Sequence, residues 1–266
     1  MKHFFFCIIL LTFGFNTNAI ERIVSLTPSL TMNIYYLGLQ DKLVGCTSYC
    51  HIAKNDYKQI VGSAKLVNIE KVFSLKPDLV LVSSITSPET IAKLRKLGLR
   101  VEVFPTPQSF DILCSQFIKI GEITNTKSLA EKIIKETKSA IKTIETATNS
   151  HKKHKVFFQI GANPLYAVIP NTFMDDYLKF LNTTNIAADL SIGNISRESV
   201  LQRNPDIIII VTMGIVGKDE IAQWKKFPNI SAVKSNKIFV IDSNMACTPT
   251  PKSFLETLQL LYSFIK

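Results

Sequence analysis

Short apolar runs alternate along the chain with segments in which apolar residues recur every three or four positions. The short runs are rich in β-branched residues and predict buried strands. Besides a first run that leads from Arg22 into a turn at Pro28, they cover residues 43–46, 79–82, 101–104, 155–160, 207–211 and 237–241. The helical patterns between them cover residues 69–75, 88–97, 172–181, 197–202, 219–226 and 251–265. This alternation predicts an α/β fold with parallel sheets covered on both faces.

One segment in the middle of the chain departs from this alternation. Residues 126–149 contain neither Gly nor Pro, and their apolar residues recur at helical spacing among charged ones. They predict one amphipathic helix, roughly 30 Å long or more. The helix by itself is equally compatible with a single domain, but the strand–helix alternation starts again after it. We therefore expect two Rossmann-like lobes with parallel sheets, at 20–125 and 151–266, joined by a backbone helix at 126–150.

An internal repeat supports two similar lobes. In each half a Glu is followed by six residues, a Pro-Asp pair and four aliphatic residues; the first copy begins at Glu70 and the second at Glu198. A proline disfavours helical geometry in the residue before it. Each Pro-Asp pair is therefore expected to end a short helix and to start a central parallel strand.

The repeated acids, Glu70 and Glu198, have two interpretations. Each falls in the first turn of its predicted helix, where the helix dipole stabilises a carboxylate. Asn68 and Ser196 stand two residues earlier, as N-caps would. Equivalent acids on two lobes would also place two negative charges on one face of the protein, where a partner with paired basic residues could bind both.

The first residues resemble an export signal. Lys2 precedes an apolar run at 4–15, and small residues at Thr17 and Ala19 suit cleavage after Ala19. We expect residues 1–19 to be a cleavable signal peptide and the mature protein to be periplasmic; an uncleaved membrane anchor is the alternative. Cys7 lies at the start of the apolar run rather than at its end, where lipidation would need it. No later apolar run reaches the roughly 20 residues that span a bilayer.

The formal charge of +10 raises the question of nucleic acid. The lysines are spread along predicted helices and do not form a stripe with interleaved aromatic residues. The densest basic cluster, at 151–155, falls between two predicted elements. We expect no nucleic-acid partner, and the charge leaves at most a weak preference for anionic ligands.

Cysteine spacing and catalytic motifs give little support to other chemistry. No CxxC pair is present, and the four cysteines beyond the signal allow three disulfide pairings, including a Cys50–Cys247 bond between the lobes. The sequence contains no P-loop, GxGxxG, GxSxG or HExxH motif. We expect a protein that is not an enzyme and holds no cofactor, although an enzyme or a sensor built on the same fold remains an alternative.

Taken together, the repeated Glu-x6-Pro-Asp segments, the long middle helix and the opening segment at 22–29 resemble the iron-chelate and vitamin B12 family of periplasmic binding proteins. The resemblance covers nearly the whole chain after the signal and is nearest to the vitamin B12-binding members. It implies a monomer that delivers a corrinoid, siderophore or haem to an ABC permease. It also implies that Glu70 and Glu198 form salt bridges with permease arginines, and that the long helix limits closure of the lobes.

In open α/β sheets, ligands lie beyond the carboxyl ends of the strands. The loops at those ends supply hydroxyl, aromatic and sulfur side chains, which suit a ligand of mixed polarity. The candidate ligand-binding residues are Pro28, Ser29, Tyr49, Cys50, His51, Ser84, Asn163, Tyr166, Met213, Asp242 and Cys247. The sulfur atoms and His51 also suit a soft metal ion, which leaves direct metal binding as an alternative although no spacing motif supports it.

The sequence departs from the vitamin B12-binding members at the cleft. Ala64 and Ile192 stand near positions where those proteins place tryptophans against the corrin. The single tryptophan, Trp224, falls in a predicted amphipathic helix and is expected in the core. The identity of the ligand therefore stays open.

Overall fold

The chain folds around two five-stranded sheets. We describe a computed structural model in which residues 19–63, 66–150, 152–212 and 217–265 are placed. The expected signal peptide, apart from Ala19, lies outside these residues, as do Ala64 and Met213. The strands of the first sheet are β1 (Ile23–Ser25), β2 (Leu43–Cys46), β3 (Gln59–Ile60), β4 (Leu79–Ser83) and β5 (Val101–Phe104). Those of the second are β6 (Lys155–Ala162), β7 (Leu165–Ala167), β8 (Thr184–Asn185), β9 (Ile207–Val211) and β10 (Ile238–Ile241).

Helices cover both faces of each sheet. In the first half they are α1 (Pro28–Tyr36), α2 (His51–Asn55), α3 (Ile69–Ser74), α4 (Pro88–Lys96), α5 (Phe110–Ile123) and α6 (Lys127–Thr148). In the second half they are α7 (Phe173–Phe180), α8 (Arg197–Arg203), α9 (Gly217–Lys225), α10 (Ser231–Lys234), α11 (Ser243–Ala246) and α12 (Pro251–Ile265). No helix within the described ranges is long and apolar enough to cross a bilayer.

The two sheets share a strand order. The first is parallel throughout, in the order β3-β2-β1-β4-β5. In the second, β8, β6, β9 and β10 lie side by side and parallel, which repeats the order β2-β1-β4-β5. Only the short hairpin strand β7 runs antiparallel among the described strands of this sheet. The predicted α/β fold with two lobes is thus confirmed.

The repeated segments have the same backbone structure in both lobes. Asn68 and Ser196 are the N-caps of α3 and α8, and each side chain accepts a hydrogen bond from the amide three residues later, as expected. After each helix one residue takes a left-handed conformation, Lys76 at φ 47° and Asn204 at φ 45°. This turn leads into the Pro-Asp pair and the next strand.

Each Asp of the repeat fixes the start of the neighbouring strand. The carboxylate of Asp78 accepts hydrogen bonds from the amides of Glu21 and Arg22, both 2.9 Å long, just before β1. The carboxylate of Asp206 accepts one from the amide of Lys155, also 2.9 Å, at the first residue of β6. The Pro-Asp pair therefore aligns two adjacent strands in each lobe.

Three layers of apolar side chains follow from strand alternation. Leu79 and Leu81 of β4 point into a central core, whereas Val80 and Val82 point to the outer face of the first sheet. Residues of β9 divide in the same way between the central core and the outer face of the second sheet. The central core contains residues from both sheets and from α5, α6 and α12. The lobes are therefore joined by a continuous core as well as by one helix.

Helices α5 and α6 form a tight antiparallel pair at the centre of this core. Asn125, at φ 59°, makes the turn between them. A Cβ atom on Gly121 of α5 would lie 2.8 Å from the Cβ of Ala130 in α6, so this close approach requires glycine. Helix α6 has 22 residues, which confirms the long helix predicted from the sequence.

Several elements were not predicted. The largest is α5, although Phe110, Leu113, Phe117 and Ile120 have helical spacing and Ser109 is its N-cap. The short strands β3, β7 and β8 lack a periodic signal because each has only two or three residues.

Candidate functional site

A cavity of about 290 Å³ lies between the two lobes. Its N-terminal side is formed at the carboxyl ends of β1, β4 and β5 by residues such as Pro28, Ser83 and Phe104. Its C-terminal side is formed by Phe173, at the start of α7, and by the loop at Cys247 that follows β10 and α11. The cavity thus occupies the place where open parallel sheets bind ligands.

A second cavity of about 340 Å³ lies next to the first. The two share Thr106, Pro107 and Phe173. The second extends to the β6–β7 hairpin, where Tyr166 lines it. Together the cavities make one cleft whose walls come from both lobes.

The lining of this cleft is uncharged. None of the described residues around the two cavities is Asp, Glu, Lys, Arg or His. Burial and the nearby carboxylate of Asp242 raise the pKa of the Cys247 thiol to about 11, so this side chain is neutral at physiological pH. The surface is mainly apolar, with amide and hydroxyl groups between the apolar side chains.

Two buried polar atoms at the cleft have no partner among the described residues. They are Oδ1 of Asn33, on α1, and Oγ1 of Thr27, the N-cap residue of that helix. Both residues line the first cavity, and Asn33 is only 4% exposed. A buried polar group without a partner costs about 1–3 kcal/mol. Although Thr27 is the N-cap residue of α1, its hydroxyl makes no capping hydrogen bond.

Other polar groups at the cleft are held in place. The amide nitrogen of Gln116, on α5, donates to the carbonyl of Pro105 at 2.8 Å. The hydroxyl of Ser84 lies 3.0 Å from that of Thr106 and accepts from the Thr106 amide at 3.1 Å. These bonds fix the orientation of Gln116 and Thr106 at the cavity wall.

The predicted ligand-binding residues are only partly brought together. Pro28, Ser29 and Cys247 line the first cavity, and Tyr166 lines the second. Ser84 lies behind Thr106.

Four other predicted ligand-binding residues are exposed on the surface but line neither cavity. They are Tyr49, His51, Asn163 and Asp242. Asp242 caps α11, where its carboxylate accepts from the amide of Asn244 at 2.7 Å. Met213 falls outside the described residues, and so its position in the cleft stays a prediction.

Cys50 lies in the core rather than at the cleft. It is 1% exposed, and its sulfur is 3.1 Å from the hydroxyl of Thr31 and 3.3 Å from that of Thr47. A hydrogen bond with Cys46, together with these hydroxyls, lowers the pKa of Cys50 to about 6. Cys50 and Cys247 carry free thiols, so the disulfide between the lobes is not formed.

The described residues also give no support to the soft-metal alternative. Within them, no three His, Cys, Asp or Glu side chains are grouped closely enough to hold a metal ion. Because Cys50 is enclosed in the core, it cannot join Cys247 at the cleft.

Several large apolar side chains are exposed, and one of them, Ile85, lines the first cavity. Leu66 and Ile85 follow strands of the first sheet and are 81% and 60% exposed; Ile192, before α8, is 64% exposed. Trp224 is fully buried, as expected for a core residue. The exposed apolar groups at the strand ends are aliphatic, apart from the half-exposed ring of Tyr49.

The repeated acids lie on the surface. Glu70 and Glu198 are both exposed in the first turns of α3 and α8. Hydrogen bonds from its own backbone amide and from the Ser196 hydroxyl lower the pKa of Glu198 below its ordinary value. Glu198 is therefore ionised at neutral pH.

Sequence reasoning missed several residues of the cleft. Asn33 and Gln116 stand on helices, where no strand-end rule points to them, and α5 itself was not predicted. One signal in the sequence could have identified Asn33: it is a polar residue on the apolar face of the short helix α1.

Comparison with known proteins adds independent findings. The sequence profile of the periplasmic binding proteins matches residues 23–245. An ABC transporter substrate-binding lipoprotein of Bacillus subtilis is 32% identical over 241 residues, 87% of this chain and 76% of that protein. The vitamin B12-binding protein of Vibrio cholerae is 24% identical over 250 residues, 92% of this chain and 89% of that protein.

A solved structure agrees with these sequence matches. It is that of a possible iron-binding, periplasmic solute-binding protein of Staphylococcus epidermidis, 30% identical to this chain with a TM-score of 0.82. The match covers 92% of this chain and 98% of that one.

Proposed function

The chain belongs to the periplasmic binding protein family, as its sequence predicted, and we propose that it is the substrate-binding component of an ABC importer. Its ligand is a corrinoid or an iron chelate, and it delivers this ligand to a membrane permease. The named relatives are binding proteins of transport systems, and we propose the same non-enzymatic role here.

The observation that carries this proposal is the cleft between the lobes. Its mainly apolar lining with amide and hydroxyl groups, which includes the exposed side chain of Ile85, suits a large ligand of mixed polarity. We assign binding to Pro28, Ser29, Tyr166 and Cys247, which line it, and to Met213, which follows β9. We propose that the other exposed candidates contact the ligand from outside these linings; they are Tyr49, His51, Ser84, Asn163 and Asp242.

Two further proposals concern the protein as a whole. Residues 1–19 are removed as a signal peptide, so that the mature protein acts outside the cytoplasmic membrane as a monomer. The N-terminal lobe at 20–125 and the C-terminal lobe at 151–266 close by small movements about the helix at 126–150. The continuous core beneath both sheets supports restricted closure, because wide opening would expose its apolar residues.

We propose that Glu70 and Glu198 contact the permease. Both carboxylates are exposed, and both stand at the same place in the repeated segments of the two lobes. Asn68 and Ser196 already bond the helix amides, so capping allows an acid at Glu70 and Glu198 without requiring one. Docking additionally explains why the same acid is present twice.

Titration of the purified protein tests the proposed function. Native mass spectrometry identifies a ligand that copurifies, and absorption spectra follow titration with cyanocobalamin, haem and ferric chelates. We expect saturable binding of one of these compounds with one ligand per protein. Failure of all of them to bind would contradict the proposal, and turnover of a ligand that depends on cleft residues would favour an enzyme.

A further inference from the structure

We infer that the ligand presents a neutral, hydrogen-bonding edge to the floor of the first cavity, where the amide of Asn33 receives it. The inference rests on the proposed function and narrows its ligand class. Corrinoids or chelates with amide or hydroxyl groups at their periphery fit, whereas ligands with carboxylates at the buried edge do not.

The first argument is the charge of the lining. A carboxylate that enters the cleft loses water, and this loss must be offset by a positive group or several hydrogen-bond donors. No Lys, Arg or His belongs to the described lining of either cavity, although the whole chain carries a charge of +10. Among the described residues, therefore, no basic side chain is placed to bind an acidic ligand at the cavity floor.

The second argument is the state of Asn33. It lies in α1 between the buried residues Leu30 and Ile34, is 4% exposed itself, and its Oδ1 has no partner among the described residues. Buried polar groups are normally hydrogen-bonded. An asparagine amide offers both donors and an acceptor, so it matches another amide or a hydroxyl group.

The third argument is that the neighbouring polar groups are also neutral. The unpartnered hydroxyl of Thr27 lines the same cavity. Gln116 uses one of its two N–H donors in the bond to the Pro105 carbonyl, and its amide is neutral like that of Asn33. The polar side chains in the described lining of the first cavity are thus all neutral amides and hydroxyls, namely those of Thr27, Ser29, Asn33, Ser83, Thr106, Gln116 and Thr248.

Two matched pairs of probes test the preference in the purified full-length protein. Cyanocobalamin, with its amide side chains, is compared with haem, which has two carboxylates. A neutral ferric trihydroxamate is compared with ferric citrate. By isothermal titration we expect the neutral member of at least one pair to bind about tenfold tighter or more than its acidic partner, the ratio expected when about one hydrogen bond is at stake.

Variants of Asn33 then locate the effect. Asn33→Leu removes the amide and is expected to weaken binding of the neutral probe by about threefold to tenfold. Asn33→Asp adds a negative charge and is expected to weaken it at least as much. Asn149→Asp, the same change at an exposed site at the end of α6, leaves the affinity unchanged. Thermal unfolding confirms that each variant is folded.

The outcomes separate this inference from the proposed function. Equal or tighter binding of the acidic probes, or unchanged affinity in both folded Asn33 variants, overturns the inference and leaves the import function standing. If none of the four probes binds to the native protein, the proposed function itself fails, and the inference fails with it.

Discussion

The two lobes share a backbone plan and differ in the side chains that surround it. In the N-terminal lobe, Ile69 and Leu75 pack against the outer face of the first sheet. The equivalent positions in the C-terminal lobe are Arg197 and Arg203, which pair with Glu220 and Asp189. One copy of the repeat thus uses aliphatic packing where the other uses ion pairs.

A further sequence match between the halves, of the helical segment that begins at Glu89 with the one that begins at Glu220, shows the same contrast. Glu89 is exposed on α4 and pairs with Lys93 one turn later. Its counterpart Glu220 is 5% exposed and accepts hydrogen bonds from Arg197 at 2.6 Å and Gln159 at 2.8 Å. Gln159 in turn accepts from the indole of Trp224, over which the Arg197 guanidinium lies.

The comparison teaches which features of the repeat are structural. The left-handed residue, the Pro-Asp pair and the Asp-to-amide bonds are the same in both lobes because they set the backbone. Side chains around this backbone are free to differ as long as each lobe satisfies its own buried groups. Glu70 and Glu198 are exposed and neither set the backbone nor satisfy a buried group, yet both lobes have a glutamate at this position.

The largest effect, on ligand uptake, is expected from Glu70 and Glu198, the acids that both lobes share. We predict that Glu70→Ala combined with Glu198→Ala abolishes ligand uptake through the permease while the ligand affinity of the purified protein stays unchanged.

Glu89→Ala is the matched control for this experiment, since it removes another exposed acid from the first turn of a helix. Its uptake should equal that of the native protein. Uptake by the double variant at the native rate would show that the repeated acids are helix caps and no more.

A smaller effect is expected from the acids that differ. Glu220→Ala leaves Arg197 and Gln159 without their buried acceptor, and we predict a loss of about 3 kcal/mol in the free energy of unfolding. Glu89→Ala, at the equivalent position, should change it little, because the pair with Lys93 is exposed to solvent. Urea denaturation followed by circular dichroism measures both. Equal losses would mean that the two lobes use this position in the same way.

The smallest effect is expected at the Pro-Asp pairs. Asp78→Ala removes the acceptor of two backbone amides and should cost about 1–2 kcal/mol, whereas Asp206→Ala removes one acceptor and should cost about 1 kcal/mol. The same denaturation experiment measures them. Asp41→Ala, at an exposed turn residue, serves as the control. A larger loss at Asp206 than at Asp78 would contradict the proposed count of bonds.

Much of the fold could be predicted because its signals are local. The buried strands β4 and β9 are continuous aliphatic runs, and α6 has an uninterrupted helical pattern. The caps at Asn68 and Ser196 follow from residue type and position alone. The family was predicted from a resemblance, which the repeat, the long middle helix and the opening segment at 22–29 carry together.

The cleft was harder to predict because it is assembled from distant parts of the chain. Rules for strand ends gave Pro28, Ser29 and Cys247, but they also pointed to Cys50, which the turn after β2 directs into the core. Asn33 was missed because burial without a partner is a property of the packed structure. The amino-acid sequence alone does not indicate which buried polar groups will lack a hydrogen-bond partner.

Helix α12 determines when the protein can finish folding. The Phe254 ring lies 4.6 Å from that of Phe110 in α5, and the Lys252 ammonium lies 5.0 Å from the Tyr36 ring in α1. The 15 residues of α12 thus pack against helices from the first half of the chain. During synthesis, part of the apolar surface of the N-terminal half therefore stays exposed to solvent until α12 has been made. Contacts between such distant positions slow folding, which favours a chain that stays incompletely folded at least until α12 has been synthesised.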